Sequence, residues 1–167
     1  MGRQVRMVPA DWQHPKNADG KYIPLHGRNC AAEQKEWDKG LALWIQGLRD
    51  DYKGGTKPHD GRPDVYGWAE WRGPRPREEE YMPDWPREQR THYMMYEDTS
   101  EGTPISPAFA TPEELARWLA DTGAGAFANM TASYEAWLRV ARGGYAPSMI
   151  MDSDGIQSGV EGLTKLR

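Results

Sequence analysis

A single cysteine, Cys30, occurs among the 167 residues. No intrachain disulfide can form and no cysteine cluster can hold zinc, so a reducing cytoplasm is the expected setting. No apolar run approaches the roughly 20 residues of a membrane span. Nothing hydrophobic follows Met1-Gly2-Arg3-Gln4-Val5-Arg6, so no secretory signal is expected. Arg6 stands where a myristoylation signal has Ser or Thr. An excess of positive charge is missing as well. The net charge is −4 and the isoelectric point about 5.6, which gives no electrostatic case for nucleic acid as the main ligand. The chain is not acidic enough to imitate DNA either. G-x-S-x-G, HExxH and P-loop patterns are all absent from the sequence.

Hydrophobic residues make up 38% of the chain, and the mean hydropathy is −0.88. Those values alone point toward disorder. Eight Trp and eight Tyr point the other way, because disordered chains are depleted in aromatics. Each buried aromatic removes about 150–250 Å² from water, so a few can organise a core poor in Val and Ile. Thirteen Pro and eighteen Gly imply long, irregular but ordered connections. The length fits one domain spanning residues 1–167.

The expected fold is α+β, dominated by helices, with a small antiparallel element. Residues 1–28 read as extended chain, with a short strand around Val5 and Met7 and a turn at Asn17-Ala18-Asp19-Gly20. Trp37, Leu41, Trp44, Leu48 and Tyr52 recur every three or four positions, which predicts a helix over 30–52 ended by Gly54-Gly55. Gly40 and Gly47 inside it each cost about 1 kcal/mol relative to alanine, so packing must offset them. Residues 53–90 form an ordered irregular region, with a short helix from Val65 to Trp71 and a polyproline stretch at Gly73-Pro74-Arg75-Pro76-Arg77. Residues 91–97 are expected as a strand. Thr111, Pro112 and Glu114 supply an N-cap, a first-turn proline and a capping box for a helix over 112–122. A second helix over about 132–142 is expected to start from Thr131 or Asn129. Ser148 to Val160 reads as a hairpin turning at Asp154-Gly155.

Candidate chemistry is sparse. His14, His26, His59 and His92 are scattered. His14 with Asp11, and His59 with Asp60 and Asp64, are the pairings that could ligate a metal, but nothing in the spacing draws them together. Cys30 lies at a predicted helix start, where a thiolate is favoured; a half-buried structural cysteine is the simpler expectation. Gly123-Ala124-Gly125-Ala126 and Gly54-Gly55-Thr56-Lys57 fall short of any phosphate-binding motif. Glu97, Asp98 and Glu101 form a candidate acidic patch. The candidate binding surface is Trp68, Trp71, Arg72, Arg75, Arg77, Tyr81 and Trp85. Trp, Tyr and Arg are enriched at interface hot spots, and arginine outnumbers lysine two to one in this chain. The competing expectation is that these tryptophans anchor an irregular segment to the core.

Val8-Pro9-Ala10-Asp11-Trp12-Gln13-His14-Pro15, Tyr81-Met82-Pro83, Gly102-Thr103-Pro104-Ile105-Ser106-Pro107 and the segment from Thr111 to Ala120 resemble a family of small accessory proteins of tailed bacteriophages and prophages. That family has no settled activity, so the resemblance carries over no catalytic residue. It implies a setting, the cytoplasm of an infected bacterium. The expected protein is therefore a non-enzymatic accessory protein that binds a host or phage macromolecule, chiefly a protein, with inhibition of a defence system as one such role. No cofactor or membrane is expected. A small metal-assisted hydrolase or nucleotide-processing enzyme using His14, His59 or His92 with a nearby Asp or Glu, and a minor virion or assembly component, are the alternatives.

Overall fold

A computed structural model describes residues 2–98, 102–152 and 155–163. In chain order its elements are β1 (Arg3–Val8), α1 (Cys30–Ile45), β2 (Leu48–Asp50), β3 (Thr56–Pro58), α2 (Val65–Arg72), β4 (His92–Glu97), β5 (Thr103–Pro104), α3 (Pro112–Asp121), α4 (Tyr134–Gly143), β6 (Tyr145–Ala146), β7 (Met149–Asp152), β8 (Gly155–Ser158) and α5 (Gly159–Gly162). The fold is α+β. Two compact units are present, residues 1–27 with 84–167, and residues 28–83. No helix among the described residues is long and apolar enough to cross a membrane.

The larger unit is built on an antiparallel sheet of order β5-β4-β1-β6. The register pairs Val5 with Met95 and Arg6 with Met94, and residues directly opposite share a face. Val5, Met95 and Tyr93 pack on α3 and α4, together with Leu115, Leu119, Trp137 and Val140. Gln4, Arg6, Met94 and Tyr96 face the other way, and the irregular segment 9–27 covers them. Arg6 Nη1 donates to the Leu25 carbonyl at 2.7 Å, and Trp12 Nε1 donates to the Tyr96 hydroxyl at 3.2 Å. Both faces are therefore closed, which is why β4 is buried along most of its length.

Helix α3 carries the expected capping box between Thr111 and Glu114. The lead-in before it is a strand as well as a turn. Thr103 and Pro104 pair with Glu97 and Tyr96, where a proline is tolerated because this is the sheet edge. Ser106 Oγ accepts from the Met95 N–H at 2.9 Å. Those tertiary bonds explain why residues 102–107 are more tightly specified than a helix start requires.

Three boundaries differ from expectation. Helix α1 ends at Ile45, because Gly47 adopts φ 78° and its N–H bonds the Trp44 carbonyl at 2.9 Å. The chain then turns into the β2–β3 hairpin, so Leu48 and Tyr52 do not extend the helix face. Ser133, and neither Thr131 nor Asn129, caps α4 by accepting from the Ala136 N–H. Its own N–H is held by the Glu161 carboxylate. The C-terminal hairpin pairs Met149 with Ser158 and Asp152 with Gly155, but Val160 belongs to α5 because Ser158 caps that turn. Asp154 of the expected turn lies outside the described residues.

Candidate interaction site

The 28–83 unit is organised by tryptophan. Asn29 Oδ1 caps α1 through the Ala32 N–H at 2.9 Å. Asp64 caps α2 through the Gly67 N–H at 2.8 Å, a bond that holds its carboxyl below the ordinary range. These starts set Trp37 and Trp44 on one helix against Trp68 and Trp71 on the other. The Trp44 and Trp68 centroids lie 5.6 Å apart, and Trp71 lies 5.4 Å from each of them. His59 stacks on Trp44 at 3.5 Å and donates Nε2–H to its carbonyl at 2.8 Å. Trp37 and Trp44 donate to the carbonyls of Gly73 and Arg62. Trp37, Trp44 and Trp68 are buried, whereas Trp71 is 44% exposed. The tryptophans are thus core and surface at once: three anchor the unit and the fourth opens outward.

Trp71 and Trp68 line a depression of about 160 Å³ with Tyr52, Arg49 and Arg72. The Arg49 guanidinium lies 5.6 Å from the Trp71 ring centre. Tyr52 is 76% exposed and held at φ 60°, a left-handed conformation costly for an aromatic residue. Side chains of the hairpin loop enforce it. Asp50 accepts from the Tyr52 N–H, and Asp51 accepts from the N–H groups of Lys53 and Gly55. Of the other charged groups in the depression, Glu36 pairs with Lys39 at 3.8 Å. Among the described residues, neither Arg49 nor Arg72 has a carboxylate partner.

Two depressions in the larger unit behave differently. One, of about 540 Å³, is lined by Trp12, His14, Tyr22, Ser106 and Trp118. Its buried polar atoms form a closed chain: Trp12 Nε1 donates to the Tyr96 hydroxyl, which donates to His14 Nδ1 at 3.1 Å, and His14 Nε2 donates to the Ile23 carbonyl at 2.7 Å. The carbonyl only accepts, so this assignment of the His14 proton follows. Burial pushes the Tyr96 hydroxyl up to about 12, which keeps it a donor. Ser106 is engaged by Met95 and Pro107. The second depression, of about 700 Å³, lies across α3. There Glu113 binds Arg142 at 2.5 Å, Glu114 completes its capping box, and Arg117 sits 4.0 Å over the Tyr134 ring. Among the described residues, neither depression presents a free buried polar group suited to acid–base work.

Burial pushes His14 below its ordinary value, Arg6 adds to that, and the Ile23 carbonyl opposes it. The unfolded chain then binds more protons than the native one once the pH falls below about 6.5. Stability linked to His14 is therefore full above that value and lost as the pH drops toward the lowered native one. Urea unfolding across that range should show a fall that is shallower in His14→Gln; identical profiles would exclude His14 as its source.

Trp68, Trp71 and Arg72 of the predicted surface come together. Arg75 is engaged by both carboxylate oxygens of Asp38 at 2.9 Å, and Arg77 by Glu79 and Glu80. Tyr81 is buried. Trp85 belongs to the other unit, edge-on to Trp12 at 4.7 Å. Glu97 is buried opposite Arg3 on the sheet, and Asp98 reaches Arg6 at 3.5 Å, so both balance buried arginines; Glu101 lies outside the described residues. Arg49 and Tyr52 are the site residues missed by sequence reasoning, which ran α1 through them; Asp50-Asp51 ahead of Gly54-Gly55 was the available turn signal. Desolvation and the nearby Glu78 carboxylate push the Cys30 thiol up, which disfavours a reactive thiolate. Among the described residues, no three His, Cys, Asp or Glu side chains converge as metal ligands would. No protein family, curated protein or solved structure matches the sequence.

Proposed function

We propose that this chain is a phage-encoded accessory protein that works by binding a partner protein through the Trp71, Tyr52, Arg49 and Arg72 face. The observation that carries the reading is that Arg49 and Arg72, beside a half-exposed tryptophan, have no carboxylate partner among the described residues. Desolvated aromatic and arginine side chains concentrate binding energy at protein interfaces. A tyrosine held outward at a backbone cost fits the same purpose, since strain of that kind collects at functional positions. In the other two depressions His14, Ser106, Glu113 and Glu114 are engaged within the fold, which favours a binding role over hydrolase chemistry. The phage resemblance supplies the setting, an infected bacterium, with inhibition of a host defence component as the corresponding role.

The test is co-purification of the tagged protein from infected cells, alongside Trp71→Ala. A true partner is depleted at least about tenfold in the variant, the scale of an interface hot spot, while circular dichroism is unchanged. Equal capture by both proteins would sink the reading. Recovery of the chain in purified particles by mass spectrometry would favour a virion component instead.

A further inference from the structure

The chemistry of this face narrows the class of partner, a step that rests on the binding role proposed for Trp71 and its neighbours. We infer that the partner segment presents a carboxylate, from Asp or Glu, next to an apolar or aromatic side chain that lies on Trp71. Arg49 and Arg72 both line the depression. Neither has a carboxylate partner among the described residues. The other arginines of this unit are treated otherwise: Arg28, Arg62, Arg75 and Arg77 each pair with an acidic residue. A planar guanidinium left open beside an aromatic face is the arrangement that receives a carboxylate through two parallel N–H donors.

A nucleic acid strand is the other polyanion such a face could attract, with a base stacked on Trp71. Charge placement argues against it. Glu36 and Asp50 line the same small depression, and the 28–83 unit carries nearly equal numbers of acidic and basic residues. A chain of phosphates extending past Trp71 would meet those carboxylates at successive steps, while one isolated carboxylate would not. Nucleic-acid sites track the backbone with a continuous basic groove, which this surface lacks among its described residues.

The experiment selects binders from a random peptide library displayed on yeast, using the whole protein as bait. Synthetic versions of the selected peptides are then compared with their Asp→Asn and Glu→Gln counterparts, and with a fluorescein-labelled oligothymidylate, by anisotropy. Selected sequences should be enriched in Asp or Glu beside an aromatic or aliphatic residue. The amide counterparts should bind about tenfold more weakly or worse, as expected for loss of a charge-assisted pair. Arg49→Gln and Arg72→Gln should each weaken the acidic peptide by about the same factor, with circular dichroism preserved. Arg87→Gln, which removes an exposed charge from the other unit, should change binding less than about twofold.

Selection without acidic enrichment, equal affinity for acid and amide peptides, or tighter binding of the oligothymidylate would each overturn the inference. Its failure is distinguishable from failure of the binding role. A partner captured from cells in a Trp71-dependent way, with no acidic preference in the library, removes the carboxylate and leaves the interface. Capture indifferent to Trp71→Ala removes the interface itself, and the carboxylate with it.

Discussion

Replacing Gly40 with alanine is expected to destabilise the 28–83 unit by about 2 kcal/mol, although alanine is the better helix former. A Cβ at position 40 would stand 2.4 Å from Cζ2 and 2.5 Å from Cη2 of Trp68, closer than side-chain carbons approach. The Trp68 ring has little room to yield, since Trp37, Trp44 and Trp71 surround it. Overpacking of this kind costs about 1–3 kcal/mol or more, against a gain of about 1 kcal/mol in helix propensity. The first effect should win because an indole displaced here disturbs three others. Urea unfolding followed by tryptophan fluorescence measures the change, and a variant as stable as the parent would disprove the close approach.

Arg6→Leu is expected to cost more, about 3 kcal/mol, the scale of removing one partner from a buried charged network. Arg6 is buried, and burial pulls its pKa down, opposing the charge. Its fork nevertheless holds the Leu25 carbonyl, the Gln4 side chain and Asp98, and it lies 4.3 Å over the Tyr96 ring. Leucine fills comparable space but leaves the Leu25 carbonyl without its donor, a loss of about 1–3 kcal/mol by itself. The segment 9–27 should loosen from the sheet, so amide exchange at Ile23 and Leu25 should quicken before global unfolding. Arg77→Leu is the surface comparison. Its pairs with Glu79 and Glu80 are exposed, and its removal should cost much less, because solvent screens such pairs. Equal losses at the two positions would refute the tethering role of Arg6.

Much of the fold was legible where local rules suffice. Thr111, Pro112 and Glu114 specified the start of α3 because a cap is satisfied within one turn. The strand at His92–Glu97 and the helix at Val65–Arg72 were also recognisable. Helix α1 was overextended because the apolar period continued through Leu48 and Tyr52, and period alone cannot register a left-handed glycine at position 47. The cap of α4 was misplaced because Ser133 is selected partly by Glu161, a carboxylate 28 residues away. The candidate site was half visible: Trp68, Trp71 and Arg72 share one short helix, whereas Arg49 and Tyr52 arrive through a hairpin.

Composition, periodicity and capping act over a few residues, and they were enough to specify an aromatic-rich α+β chain with capped helices. Which charges are engaged was settled by packing. Arg75, Arg77, Glu97 and Asp98 were equally plausible as binding residues until the fold set them against Asp38, Glu80, Arg3 and Arg6. Whether an arginine serves the fold or faces a partner depends on what stands within about 4 Å of it, the reach over which a charge pair forms. For Arg6 and Arg75 that neighbour comes from a distant part of the chain. Among the described residues of the 28–83 unit, Arg49 and Arg72 are the arginines without such a neighbour, and the proposed interaction face rests on them.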